Sequence, residues 1–263
     1  MKSIFYIIIM LLFLSSCEDT IDLNLKDLQL KYVVEGVITN EPGVCKVLIS
    51  QTKDFKDNND FNGVSGAVVK IESDGITTTL QEGSNGVYQT DKINGTPGKT
   101  YKLTVNVKNE VFTASSTMPQ PVPLLDFTLK ASDYEPTRVT PKIKYKDVAA
   151  IKNYYWFQQY INDKIQLRYK VSSDEFTSGQ EVNEYLVYEN NTNDKSKDIV
   201  KGDRLTVEMH SIDAPVYTYL FTLFNANGSA DGAAPANPVS NISGGALGFF
   251  SAHTTERKTI TIP

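Results

Sequence analysis

The sequence predicts an all-β protein made of two β-sandwich domains carried behind an export signal. Three observations lead there. About 90 residues from Leu28 onward read as short strands separated by turn residues, without ten consecutive positions that hold an apolar period of 3.6. The stretch Met118-Pro119-Gln120-Pro121-Val122-Pro123 interrupts that pattern, and strand-like alternation resumes beyond it. Ahead of both lies one unbroken apolar run, Ile4 to Leu14.

The N-terminal segment reads as a charged start at Lys2, an apolar run and then Leu14-Ser15-Ser16-Cys17, the order expected of a secretory signal peptide over residues 1–16. The run is shorter than the about 20 apolar residues that span a bilayer. Leu-Ser-Ser-Cys resembles a bacterial lipobox, which implies cleavage before Cys17 and lipidation of that residue. More than one acyl chain holds a protein stably on a membrane. Residues 17–27 are then a lipidated tether. Glu18, Asp19 and Thr20 within it resemble the surface-export signal of Bacteroidota lipoproteins, with a solvated acidic tether as the plainer reading. Asp19-Thr20-Ile21 also fits a short bacterial O-glycosylation pattern.

The first sandwich is expected over residues 28–118. Cys45, Val47 and Ile49 share one side of an alternating strand, which makes Cys45 a buried small hydrophobe. Tyr101, Leu103, Val105 and Val107 alternate with Lys102, Thr104, Asn106 and Lys108, the mark of a strand with one face on a core and the other in water. Three prolines at alternate positions favour an extended linker and remove ladder donors, so the domain boundary is expected between Met118 and Pro119. In the second sandwich, 119–263, Ile165, Leu167, Tyr169 and Val171 oppose Lys164, Gln166, Arg168 and Lys170; Leu205, Val207 and Met209 repeat the device. Domains of about 90 and 145 residues can each bury a core without disulfides.

Charge and residue counts narrow the functions. Lys and Arg number 26 against 31 Asp and Glu, a net charge of −5, without a basic cluster to neutralise phosphates, so nucleic acid is not an expected partner. Only two histidines occur, His210 and His253, which rules out a histidine-rich metal centre. His210 falls on the polar side of its strand and is expected as a solvated surface residue. Gly98-Lys99-Thr100 mimics the end of a phosphate loop but lacks its first glycine and reads as a turn into a strand. Neither Gly63-Val64-Ser65-Gly66 nor Ile242-Ser243-Gly244 supplies a nucleophile elbow. Asn58 to Gly63 resembles half of a calcium loop, with Val69 where a bidentate Glu belongs, and reads as a hydrated loop. Asp174, Glu175, Glu181 and Glu184 would serve glycoside hydrolysis only if two of them converged. No enzyme, metal or cofactor is expected.

One constellation suggests binding. In a strand through Tyr154, Tyr155, Trp156, Phe157 and Tyr160, one face carries Tyr154, Trp156 and Tyr160 and the other Tyr155 and Phe157. If the second face is core, the first offers a stacking surface for sugars or a protein; burial of both faces is the bland alternative. Tyr217, Tyr219 and Phe221 form a second stripe of the same kind. Gly244, Gly245 and Gly248 suit a bulge or a close backbone approach, with partner docking as the alternative.

Several segments in order carry a family resemblance: Ile21-Asp22-Leu23, Tyr32-Val33-Val34-Glu35-Gly36-Val37-Ile38, Gly66-Ala67-Val68-Val69-Lys70-Ile71, Asn153-Tyr154-Tyr155-Trp156-Phe157, and Pro238 to Phe250 with its Asn241-Ile242-Ser243-Gly244-Gly245-Ala246-Leu247-Gly248. Together they resemble the Bacteroidota outer-membrane lipoproteins of domain-of-unknown-function family 4249. The resemblance implies an envelope lipoprotein, lipid-anchored in the outer membrane and often paired with a TonB-dependent receptor. Gly86-Val87-Tyr88 and Gly98 to Leu103 also look like the transthyretin-like, carboxypeptidase-regulatory sandwich, within a broadly Ig/transthyretin-like fold class. The functional expectation is therefore a non-catalytic accessory binding protein for substrate capture or uptake. The alternative is a structural or adhesive, fimbrillin-like surface lipoprotein. The first arginine, Arg138, lies too far along the chain for the arginine-directed maturation of some fimbrillins.

Overall fold

The computed structural model describes residues 30–53, 60–131, 139–186, 199–228 and 237–263. The signal peptide, Cys17, the acidic tether, Asn58, Asn59 and Arg138 lie outside the described residues. Strands dominate, as the alternating patterns predict. They are β1 (Tyr32–Thr39), β2 (Cys45–Gln51), β3 (Val68–Ser73), β4 (Ile76–Thr79), β5 (Gln81–Glu82), β6 (Val87–Gln89), β7 (Thr100–Val107) and β8 (Glu110–Thr117). After the proline stretch come β9 (Leu124–Ala131), β10 (Val139–Lys146), β11 (Tyr154–Ile161), β12 (Lys164–Ile165), β13 (Lys170–Ser173), β14 (Glu181–Tyr185), β15 (Arg204–Ile212) and β16 (Leu247–Thr261). One helix, α1 (Ala214–Gly228), stands between β15 and β16 among the described residues.

A nine-stranded sheet runs β12-β11-β15-β16-β1-β2-β6-β5, with β13 also paired to β11. Smaller sheets, β4-β3-β7-β8 and β14-β10-β9, complete two sandwiches with it. Each has its own core. Tyr101, Leu103, Val105 and Val107 of β7 and Cys45, Val47 and Ile49 of β2 lie in the first. Tyr145, Tyr155, Phe157, Leu205, Val207 and Met209 lie in the second. Cys45 is 1% exposed, and burial pushes its thiol up to about 12. It packs as an apolar side chain. Gly98 turns the chain at φ +85° into β7 as expected, and Lys99 pairs with Asp74 at 2.7 Å.

Met118 closes the first core and Val122 opens the second, so the cores change over at the proline stretch. The chain nevertheless does not separate there. Strand β16 inserts between β1, which it pairs in parallel, and β15, which it pairs antiparallel. It delivers Phe250 and Ala252 to the first core while Ile262, just beyond its end, joins the second. Lys31–Pro263 is consequently one compact unit. Residues assigned by sequence to a second domain, 119–263, thus complete the first.

The glycine-rich segment before β16 explains how that strand is held. Asn241 donates from Nδ2 to the Phe250 carbonyl (2.8 Å) and accepts the Phe250 amide on Oδ1 (2.9 Å), while Ser240 Oγ donates to the Gly248 carbonyl (2.7 Å). Ser243 bridges Thr113 on the outer edge of β8, covering backbone groups that an edge strand would otherwise expose. Gly248 sits at φ +98°, and a Cβ there would lie 2.1 Å from the Val34 carbonyl oxygen. Gly244 meets the same limit against the Val111 carbonyl, at 2.4 Å. These glycines serve close backbone approach, the first of the two readings from sequence.

Helix α1 departs from the strand-like reading of Tyr217, Tyr219 and Phe221. Asp213 caps it, accepting the Val216 amide on Oδ1 (3.2 Å), and Pro215 suits a first turn. Val216, Leu220 and Leu223, with Tyr219, form a helical stripe against the central sheet. Asp213 Oδ2 also accepts Ser116 Oγ–H (2.7 Å) and the Thr117 amide (3.1 Å), which ties the helix start to β8.

Candidate functional site

Strand β11 divides its aromatic side chains between faces as its alternation predicts. Tyr155 and Phe157 enter the second core, where Tyr145 lies 4.8 and 5.9 Å from their ring centroids. Asp147, 3% exposed, accepts the Tyr155 hydroxyl and the Gly179 amide (2.9 Å). Tyr154, Trp156 and Tyr160 occupy the opposite face, on part of which α1 packs through β16, β11 and β13.

All three are half-buried and engaged. Tyr154 stacks on Tyr217 of the helix, with centroids 4.9 Å apart. Trp156 packs against His210 (4.6 Å) and His253 (5.8 Å), and its buried Nε1 has no hydrogen-bond partner among the described residues. Tyr160 donates to Glu208 Oε2 (2.9 Å), and Glu208 in turn accepts Arg257, which also bridges to Glu41. Tyr154 and Trp156 are thus packed into an aromatic layer, while Tyr160 lines a polar groove of about 310 Å³ with Glu208, Arg257 and Thr259.

His210 corrects the sequence expectation directly. It does sit on the polar side of β15, but Trp156, His253 and Thr255 pack against it and it is 5% exposed. Burial, aided by Arg257, lowers its pKa to about 3; burial lowers His253 well below the usual range, with His210 contributing. Both rings are neutral at ordinary pH. Although His210 Nε2 lies 3.6 Å from Glu208 Oε2, Arg257 already claims that carboxylate, and desolvation outweighs the contact. Each imidazole instead pairs through Nδ1 with a hydroxyl, His210 with Thr255 (3.0 Å) and His253 with Ser251 (2.9 Å).

Glu181 pairs with Lys144 (2.6 Å), Glu184 with Lys170, and Asp174 accepts Asn153 Nδ2 (3.5 Å). Among the described residues no three His, Cys, Asp or Glu side chains are placed to hold a metal ion. Of the calcium-like stretch, the Asn62 carbonyl accepts the Gln51 amide and Gly63 bridges Ser50, so that part lies along β2.

An open site does exist at the edge of the covered face, and a strand irregularity builds it. Tyr160 pairs with Ile165 and Phe157 with Lys170, so residues 166–169 lie opposite only Gln158 and Gln159. Gln158 Nε2 fixes this bulge by donating to the Gln166 carbonyl (2.7 Å), and the Gln166 amide donates to the Gln159 carbonyl (2.9 Å). A bulge bends a strand and redirects its side chains. Here Leu167 is thrown outward, 84% exposed, while Arg168 and Tyr169 meet the last turns of α1.

The resulting groove holds about 320 Å³ and is lined by Arg168, Tyr169, Val171, Tyr185, Phe221 and Phe224, with Lys170 and Asn225. Tyr169 donates its hydroxyl to the Leu220 carbonyl (2.8 Å) and meets Phe224 edge-on at 6.1 Å. Burial raises that phenol to about 12, so it remains protonated. Phe221 and Phe224 stay 45% and 50% exposed. Lys170 is neutralised by Glu184, whereas Arg168 has no ion pair or hydrogen bond among the described residues. Sequence alternation gave no sign of this groove, because it depends on an unrecognised helix and a two-residue bulge.

No curated protein matches the chain. A family model described as "Domain of unknown function (DUF4249)" matches residues 18–259, nearly the whole span after the apolar run, and the chain belongs to that family.

Proposed function

We propose that this chain is a lipid-anchored outer-membrane protein without catalytic activity, which holds a ligand for a TonB-dependent receptor during substrate capture or uptake. The observation that carries the binding role is the groove between the bulge and α1. Aromatic side chains are left half-exposed there around an arginine that has no ion pair or hydrogen bond among the described residues. Concave, mostly apolar sites with a few polar groups are the usual form of ligand pockets. The Leu14-Ser15-Ser16-Cys17 motif supports the anchor, and membership of the family supports the envelope address.

The test is affinity capture of the natively anchored protein after gentle solubilisation, with mass spectrometry of its companions and Cys17→Ala as the unanchored control. Recovery of a TonB-dependent receptor with the anchored protein, and its loss from the control, is the expected result. A ladder of self-association would favour the structural, adhesive role instead, and a solitary protein in both samples would contradict a stable receptor complex.

A further inference from the structure

We propose that the groove binds an apolar or aromatic molecule bearing one terminal anionic group, with the apolar body on Phe221, Phe224 and Tyr185 and the anion on Arg168. This rests on the binding role proposed above and names the class of ligand.

The lining decides the class. Its aromatic and aliphatic side chains leave few polar groups to pair, since the Tyr169 hydroxyl is committed to the Leu220 carbonyl. A sugar, which needs several paired hydroxyls, would desolvate more polar groups than this surface can satisfy. Charge then separates anion from cation. No acidic side chain lines the groove among the described residues, and Glu184 accepts both Lys170 and Ser172 Oγ (3.1 Å). Among the described residues Arg168 is left as a guanidinium without an ion pair or hydrogen bond. This local positive character stands out on a chain of net charge −5. Guanidinium groups recognise carboxylates and related anions through paired donors. The volume, about 320 Å³, is at the small end of ligand pockets and suits a compact molecule.

Two dyes of similar shape isolate the charge: 1-anilinonaphthalene-8-sulfonate is an aromatic anion, and N-phenyl-1-naphthylamine is its neutral counterpart. Fluorescence titrations use the whole mature protein in its native, cooperatively melting state, because the anionic dye also stains loosened folds. Wild type is compared with Arg168→Gln, Arg168→Lys and Phe224→Ala, all at exposed positions. The expected result is one anionic dye per chain, weakened about tenfold or more by Arg168→Gln and less by Arg168→Lys. The neutral dye changes less than about twofold on Arg168→Gln, and Phe224→Ala weakens both dyes. If Arg168→Gln leaves the anionic dye unchanged, or weakens both dyes equally, the anionic class is wrong although an apolar binding groove remains. If neither dye binds the native protein, the groove itself is not a binding site and the underlying role fails with it.

Discussion

Beneath the first turns of α1 and beside its last turns, the same types of side chain meet opposite conditions. Tyr154 packs on Tyr217 of the helix, and beside it Trp156, His210 and His253 pack ring to ring, with hydroxyl partners for both imidazoles. Tyr169, Phe221, Phe224 and Arg168 lie at its edge, where the bulge holds the strand away and the rings keep solvent contact. Aromatic composition therefore does not by itself mark a binding surface. What distinguishes the two regions is whether neighbouring elements have already supplied the partners.

This difference predicts a sharp division between stability and binding. The largest expected effect is on the closed side, where Trp156→Ala should destabilise the protein by about 3–5 kcal/mol, read from denaturant midpoints. A loss below about 1 kcal/mol would mean the layer is loosely packed and the contrast is false.

Acid should act on the same layer. His210 is neutral when folded, with a pKa of about 3, whereas the unfolded chain takes up a proton below about 6.5. Its stabilising contribution is thus complete above about pH 6.5 and falls as pH drops, by about 2 kcal/mol at pH 5. His253 shifts in the same direction. Burial raises the Glu35 and Asp213 carboxyls, which oppose this trend, so the slope is best read as wild type against His210→Asn. The variant should show the flatter profile between pH 7 and 5. Parallel profiles would mean that His210 is solvated after all.

A smaller effect is expected from Asp213→Ala, about 1–2 kcal/mol, through loss of the helix cap and its tie to β8. Because both regions depend on α1, this change should weaken dye binding in the groove as well as the melt. Smallest in stability are Phe224→Ala and Arg168→Gln, each within about 1 kcal/mol in thermal or denaturant melts. These are the substitutions expected to alter binding.

Much of this arrangement is legible in the sequence, and the gaps have common physical causes. Alternation placed Tyr101 to Val107 and Cys45 to Ile49 in a core and separated Tyr154, Trp156 and Tyr160 from Tyr155 and Phe157. It could not show which face a later element would cover. The helix escaped notice because Tyr217, Tyr219 and Phe221 also fit a strand period, and aromatic residues favour strands. Its signals were Asp213, Pro215 and the Val216, Leu220, Leu223 spacing. Reading His210 as solvated followed from taking the polar side of β15 as open, where Trp156 and His253 pack against it. Insertion of β16 beside β1 is a long-range pairing, which a local period cannot reveal, though Gly244 and Gly248 marked where backbones come close. The bulge at 166–169 interrupts an alternation, from Ile165 to Val171, that looks unbroken on paper.

The most direct test uses the chain's single tryptophan as an internal reference. Trp156 supplies the one indole N–H signal in a ¹H–¹⁵N spectrum, and it belongs to the closed layer, while residues 168–171 and 221–225 report on the groove. On titration with 1-anilinonaphthalene-8-sulfonate, the groove amides should shift progressively while the Trp156 indole signal stays in place. Movement of the indole signal with silent groove amides would contradict the account and return the binding site to the Tyr154, Trp156 and Tyr160 face.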